Sequence, residues 1–288
     1  MPNVQSNGLR LEYDSFGNPS DPPMVLIMGL GAQMISWPVA FCEMLAEKGY
    51  YVVRFDNRDC GLSTHLVDAP APDVAAILGG DFSTASYRLS DFADDTAGLF
   101  DALGFTTVHV VGASMGGMIA QQLVIDHPDR VASLCSIMST TGNPNVGQAT
   151  PEALALLTRP AAPNRDAAIE SGVAALKLIG SPDFPTPDEV LRQRTANGYD
   201  RSYDPPAGLR QTAAIVASGD RTEGLHGVHV PTVVIHGTKD PLVNFSGGEA
   251  TVAAIPGATF VPITGMGHDL PDALFGTFVD AIVANAKA

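Results

Sequence analysis

The sequence predicts an α/β fold, a mostly parallel central sheet with helices on both faces and an inserted helical cap. Two features predict it. Short apolar runs of strand length alternate along the chain with stretches of helical spacing, which is the pattern of strands buried on both faces. That rhythm breaks once, from residue 141 to about 228, where Ala, Pro and helical segments prevail and no run of similar strand quality occurs. The expected organisation is therefore core over residues 1–140, cap over 141–228, and core again over 229–288.

Each element has its own signal. Leu9–Phe16 alternates like an edge strand and turns at Gly17-Asn18-Pro19. Residues 24–28 form a short apolar run typical of a buried parallel strand, ending in Gly29-Leu30-Gly31. Helical spacing over 37–48 stops at Gly49. Tyr51–Phe55 is the next strand, 56–63 the turn after it, and roughly 64–87 a polar loop. Ser90 is the expected N-cap of a helix that runs to Leu103 before Gly104. A strand at 108–111, a helix at 117–125 and a strand near 131–138 follow. Beyond the helical stretch, 231–236, 246–255, Thr259–Ile263 and 270–286 read as strand, helix, strand and helix.

Composition bounds the functional classes. With 288 residues, 45% hydrophobic and 16% charged, the chain can bury a substantial core and is not of the disordered class. A net charge of −15 argues against nucleic acid and anionic membrane surfaces as partners and favours neutral or cationic small molecules. Cys42, Cys60 and Cys135 are odd in number and lack metal-ligand spacing, so they read as reduced thiols, two of them near the core. No signal peptide or apolar stretch of spanning length is visible, and a cytoplasmic protein is expected. Oligomeric state leaves no mark on the sequence.

Gly112-Ala113-Ser114-Met115-Gly116 carries the chemistry. It lies between a strand and a helix, the context of a nucleophile elbow. A serine projecting from so sharp a turn has a strained backbone, and glycines two positions either side remove the collisions that side chains would make. A serine hydroxyl needs a base. Of the seven histidines, His268 lies in a Gly-rich loop, Gly265-Met266-Gly267-His268, after the last expected strand. Such a turn can present an imidazole above the sheet's carboxyl edge. Asp240, in the turn after strand 231–236, is the expected carboxylate partner, and the chain order Ser114, Asp240, His268 is the one this motif class uses. Asp269 is adjacent to the histidine and poorly placed to orient it. Backbone N–H groups of Met115 and Leu30 are the expected oxyanion donors.

These residues resemble the α/β-hydrolase family over nearly the whole chain. The resemblance rests on Gly-Ala-Ser114-Met-Gly, the Asp240 turn, Gly-Met-Gly-His268 and Asp56-Asn57-Arg58-Asp59-Cys60-Gly61-Leu62-Ser63. Most relatives carry glycine at the position of Asp59 and histidine at that of Met28; both departures look like anthracycline methylesterases of the aclacinomycin type and bacterial serine esterases. The segments Ile179-Gly180-Ser181-Pro182 and Tyr199-Asp200-Arg201-Ser202-Tyr203 are similar to the second group. The resemblance implies the α/β-hydrolase fold and hydrolysis of a small or medium-sized carboxylic ester through an acyl-enzyme, without cofactor or metal. Carbon–carbon bond hydrolysis, cofactor-free perhydrolysis and ligand binding without turnover stay open as alternatives. Trp37, Phe41 and Met118 are candidates to line the substrate pocket, and Tyr199 and Tyr203 to reach down from the cap; core or cap packing is the alternative for each. The turn at 56–63 reads as structural, with Asp56 and Arg58 bonding nearby backbone, and Asp94, Asp95 and Asp101 as a solvated helix face.

Overall fold

The computed structural model describes residues 2–73, 76–77, 79–158 and 161–288. One sheet of eight strands organises them: β1 (Asn3–Ser6), β2 (Leu9–Phe16), β3 (Pro23–Ile27), β4 (Tyr51–Phe55), β5 (Val108–Ala113), β6 (Val131–Ile137), β7 (Thr232–Gly237) and β8 (Thr259–Ile263). Their spatial order is β1-β2-β4-β3-β5-β6-β7-β8. Pairings from β4 through β8 are parallel, whereas β2 joins β4 and β1 joins β2 antiparallel.

Parallel strands buried on both faces need apolar residues at successive positions, because alternate side chains leave opposite faces. In β3, Val25 and Ile27 enter one core, while Met24 and Leu26 enter the other. In β5, Val108 and Val110 face the first and Val111 and Ala113 the second. The first core is closed by α2 (Leu89–Leu103) and α3 (Met115–Asp126), the second by α1 (Val39–Glu47) and α10 (Phe275–Ala286). Burying each large apolar side chain contributes roughly 1.5–3 kcal/mol.

Where element boundaries depart from the sequence reading, local chemistry explains them. β1 was not anticipated: Asn7 and Gly8, both at positive φ, close a tight hairpin that adds a strand outside β2. α1 starts after Pro38, and Trp37 instead terminates a short 3₁₀ turn over Met34–Ser36. Ser90 is not the N-cap of α2. Arg88 occupies that position, and the Asp91 carboxylate accepts its backbone N–H at 2.8 Å. Gly104, at φ 74°, ends the helix as expected. The closing helix begins at Phe275, after a 3₁₀ turn over Asp272–Leu274. Within the loop at 64–87, Val74, Ala75 and Leu78 lie outside the described residues. All three cysteines are buried, one more than the sequence reading placed near the core.

Between β6 and β7 the described residues form helices and no strand: α4 (Pro151–Leu154), α5 (Arg165–Ile179), α6 (Asp188–Arg201), α7 (Pro205–Ser218) and α8 (Thr222–Leu225). The excursion is pinched at its base. Arg221 donates from its backbone N–H to Thr141 O and from its guanidinium to Thr140 O, both at 2.9 Å. Gly142 (φ 86°) lies so close to Gly219 that a Cβ on it would stand 2.2 Å from the Gly219 carbonyl oxygen. A short α9 (Ser246–Ala254) then bridges β7 and β8. Among the described residues no helix is long and apolar enough to cross a membrane.

Candidate active site

Ser114 stands at the junction of β5 and α3 with φ 56° and ψ −121°. A non-glycine residue there stores of order 1–3 kcal/mol, so the surroundings must enforce it. They do so by close approach. A Cβ on Gly112 would lie 2.1 Å from the Gly116 carbonyl oxygen, and one on Gly116 would lie 2.0 Å from that of Ile27. Any side chain at either position drives strand and helix apart. Ser139 adds a tie by donating its hydroxyl to Ser114 O at 2.9 Å.

The structure brings Ser114, Asp240 and His268 together, each at the carboxyl end of a parallel strand. His268 Nε2 is 2.9 Å from Ser114 Oγ and its Nδ1 is 2.6 Å from Asp240 Oδ2. An ionised carboxylate only accepts, so Nδ1 carries the proton and Nε2 offers its lone pair to the serine hydroxyl. Asp240 Oδ1 accepts the N–H groups of Leu242 (2.9 Å) and Val243 (2.8 Å). Burial pushes the Asp240 carboxyl up. The charge of His268 and hydrogen bonds from His236 and His268 outweigh burial and hold it at about 2. Asp269 turns away as anticipated, accepting the hydroxyl of Ser181.

The two expected donor positions flank the serine. Met115 N–H belongs to the first turn of α3, where N–H groups have no intrahelical partner and the dipole favours an anion. The loop of Leu30 passes close by: a Cβ on Gly29 would be 3.0 Å from Ser114 Cβ. Two side chains that the sequence did not single out fix this loop. Gln211, from α7, accepts Gly31 N–H and donates to Arg58 O, both at 2.8 Å, and Asn57 donates to Met28 O at 2.9 Å. Glutamine on a helix of ordinary composition gives no local sequence signal. His236 is a further omission. Fully buried, it contacts Val243 O at 2.8 Å through Nε2, 3.5 Å from Asp240 Oδ2.

Several expectations are corrected. Trp37 and Phe41 expose no surface; they stack on one another, and Phe41 meets Phe275 and Phe278 edge-on. They are core rather than pocket lining, because a substrate cannot touch what no solvent-sized sphere reaches. Met118 is buried in the opposite core. Tyr199 and Tyr203 are not core in this way: neither is buried, their ring centroids lie 4.6 Å apart with the planes tilted by 32°, and Tyr203 Oη accepts Ala162 N–H at 3.1 Å. Asp95 is not on a solvated face. It is buried and accepts Arg58 Nε at 2.6 Å and Nη2 at 2.7 Å, so Arg58 bonds a distant carboxylate as well as backbone. Asp94 and Asp101 do lie at the surface, paired with His127 and Arg130.

The turn after β4 does more than turn. Asp56 accepts Met34 N–H (2.8 Å) and Leu62 N–H (2.9 Å) and pairs with Arg201 of α6 at 2.7 Å. Asp59 has φ 59° and accepts Arg210 of α7 through two bonds, 2.7 and 2.8 Å, plus Tyr87 Oη and Leu66 N–H, each at 2.7 Å. Burial would raise the Asp59 carboxyl, but these donors hold it below its ordinary value. The cysteines offer no rival nucleophile: burial pushes Cys42 up to about 12 and raises Cys60 and Cys135 as well. Among the described residues no cluster of metal-ligating side chains occurs.

Comparison with known proteins agrees with this fold. A family model described as the alpha/beta hydrolase fold matches residues 22–272. The rhodomycin D methylesterase DauP of Streptomyces sp. (strain C5) is 28% identical, with 99% of this chain and 97% of the relative covered. An enol-lactonase from Burkholderia xenovorans LB400 superposes with a TM-score of 0.77 over 100% of both chains at 23% identity. The meta-cleavage product hydrolase of Pseudomonas fluorescens IP01 gives 0.76, covering 100% of this chain and 97% of that one, at 20% identity.

Proposed function

This chain belongs to the α/β-hydrolase fold family, and from that premise we propose that it is a serine carboxylic ester hydrolase. The single observation that carries the reading is the continuous hydrogen-bonded line from Ser114 Oγ through His268 to Asp240, mounted on a strained elbow. Similarity to a methylesterase over almost the full length supports an ester of a small alcohol as the substrate class.

His268 Nε2 removes the hydroxyl proton as Ser114 Oγ attacks the ester carbonyl. The N–H groups of Met115 and Leu30 receive the oxyanion, and Asp240 stabilises the imidazolium while remaining ionised. His268 then protonates the departing alcohol. Water, deprotonated by the same imidazole, attacks the acyl-enzyme and releases the acid. We take residues 141–228 as a cap over this site; three of its side chains, Arg201, Arg210 and Gln211, bond the loops at the carboxyl ends of β3 and β4.

A fluorophosphonate probe should label Ser114, identified by peptide mass, and Ser114→Ala should lose labelling and roughly 10⁶-fold in kcat on p-nitrophenyl esters. Turnover by Ser114→Ala at the parent rate would refute the assignment. A panel of methyl through long-acyl esters then defines the preferred acid and alcohol.

A further inference from the structure

The loop that carries His268 is held from the side by the segment following α5, and this contact involves neither Ser114 nor Asp240. His268 N–H donates to Ile179 O at 2.6 Å, and Gly267 N–H donates to Ser181 Oγ at 2.9 Å. The Ser181 hydroxyl in turn donates to the Asp269 carboxylate, and Asp183 N–H donates to Gly265 O at 3.3 Å. Ser181 is 3% exposed. The two backbones touch: a Cβ on Gly267 would lie 2.4 Å from Gly180 O, and one on Gly265 would collide with the Asp183 carboxylate. The sequence therefore uses glycine on the histidine loop where the helical segment presses against it.

We propose that Ser181 is a positioning residue for His268, its hydroxyl clamping the residues on either side of the imidazole and so fixing the ring's height over Ser114. The proposal rests on the serine-hydrolase reading above. Ser181 Oγ accepts from Gly267, one residue before the histidine, and donates to Asp269, one residue after it. A single hydroxyl thereby spans the histidine, and among side chains small enough for this buried position only threonine also carries an oxygen that both accepts and donates. Removing it leaves Gly267 N–H without its acceptor and takes one of two bonds from Asp269, which keeps the Ser181 backbone N–H, while the Asp240 and Ser114 partners of the ring stay in place. A misplacement of about 1 Å in a reacting group costs on the order of 10²-fold in rate. The helical segment thus contributes to the position of the base as well as to whatever covers the substrate.

Ser181→Ala, Ser181→Thr and Asp269→Ala, compared with the parent, test it by fluorophosphonate labelling rate and by ester kinetics. Ser181→Ala should be labelled about 10–100-fold more slowly and lose a similar factor in kcat, with KM changed less than about threefold. Ser181→Thr should return to within about fivefold of the parent, since it keeps the hydroxyl. Asp269→Ala, which removes the acceptor but leaves Ser181, should slow labelling in the same direction and decides the matter if Ser181→Ala does not fold. Parent-like labelling and kcat in folded Ser181→Ala, or in Asp269→Ala where that variant decides, overturns the clamp while leaving Ser114 as nucleophile. A parent that is not labelled at Ser114 overturns the serine reading and the clamp with it.

Discussion

At the scale of single residues, Asp240 has two duties that separate by measurement. Its Oδ2 fixes the His268 tautomer, while its Oδ1 closes the turn by accepting Leu242 and Val243 N–H. Asn in its place can keep the turn, because the amide oxygen still accepts from both N–H groups. It then presents an NH₂ to Nδ1, and a donor facing that nitrogen forces the proton onto Nε2, where Ser114 needs a lone pair. On the proposed mechanism Asp240→Asn therefore loses roughly 10⁴-fold in kcat with little change in KM. Ester kinetics check this, and a loss below tenfold would show that the tautomer is fixed by something else. The serine, histidine and aspartate were legible in the sequence because each follows an apolar strand and has a glycine within three residues. Gln211, Asn57 and Ser181 were not legible, since their partners are backbone atoms distant in sequence whose approach only the fold determines.

At the scale of elements, strands and helices were readable where one period dominated, and the contact between the helical stretch and the core was not. Asp59 illustrates why. In the sequence it stands where most relatives of the family it resembles carry glycine, and the structure places it at φ 59°, a backbone the sequence reading did not anticipate. Its role appears only when α7 brings Arg210 against it in a buried, two-bonded ion pair. Asp56 with Arg201 makes a second such tie, so α6 and α7 are both fastened to the turn after β4. Breaking one partner of a buried pair leaves the other charge without compensation, at a cost of about 3–5 kcal/mol. Arg210→Ala should accordingly lower the unfolding free energy by that amount in urea titrations. The double variant Asp59→Gly/Arg210→Met should recover much of it, because glycine suits the positive φ and no isolated charge remains. A double variant less stable than Arg210→Ala would show that Tyr87 and Leu66 need the Asp59 carboxylate more than the arginine does.

At the scale of the whole molecule, the buried carboxylates set how the fold responds to acid. The chain has 31 acidic against 16 basic side chains, so acidification titrates many surface carboxylates that have little effect singly. Asp240 and Asp59 differ because their donors hold them ionised inside the protein. Each has a folded-state value below its unfolded one. Their contribution is therefore complete above the ordinary carboxylate range and is lost as pH falls through the folded value. For Asp240 the drop from 3.8 to about 2 corresponds to about 2 kcal/mol, lost between roughly pH 4 and pH 2. Surface titration and growing positive charge act in the same window, but equally on Asp240→Asn, which has no proton to bind there. Urea unfolding of both proteins at pH 4, 3 and 2 isolates the difference: the parent should lose about 2 kcal/mol more than the variant across that span. Parallel curves would mean that the Asp240 carboxylate gains nothing from folding beside His268, and the electrostatic pairing at the head of the hydrogen-bonded line would have to be abandoned.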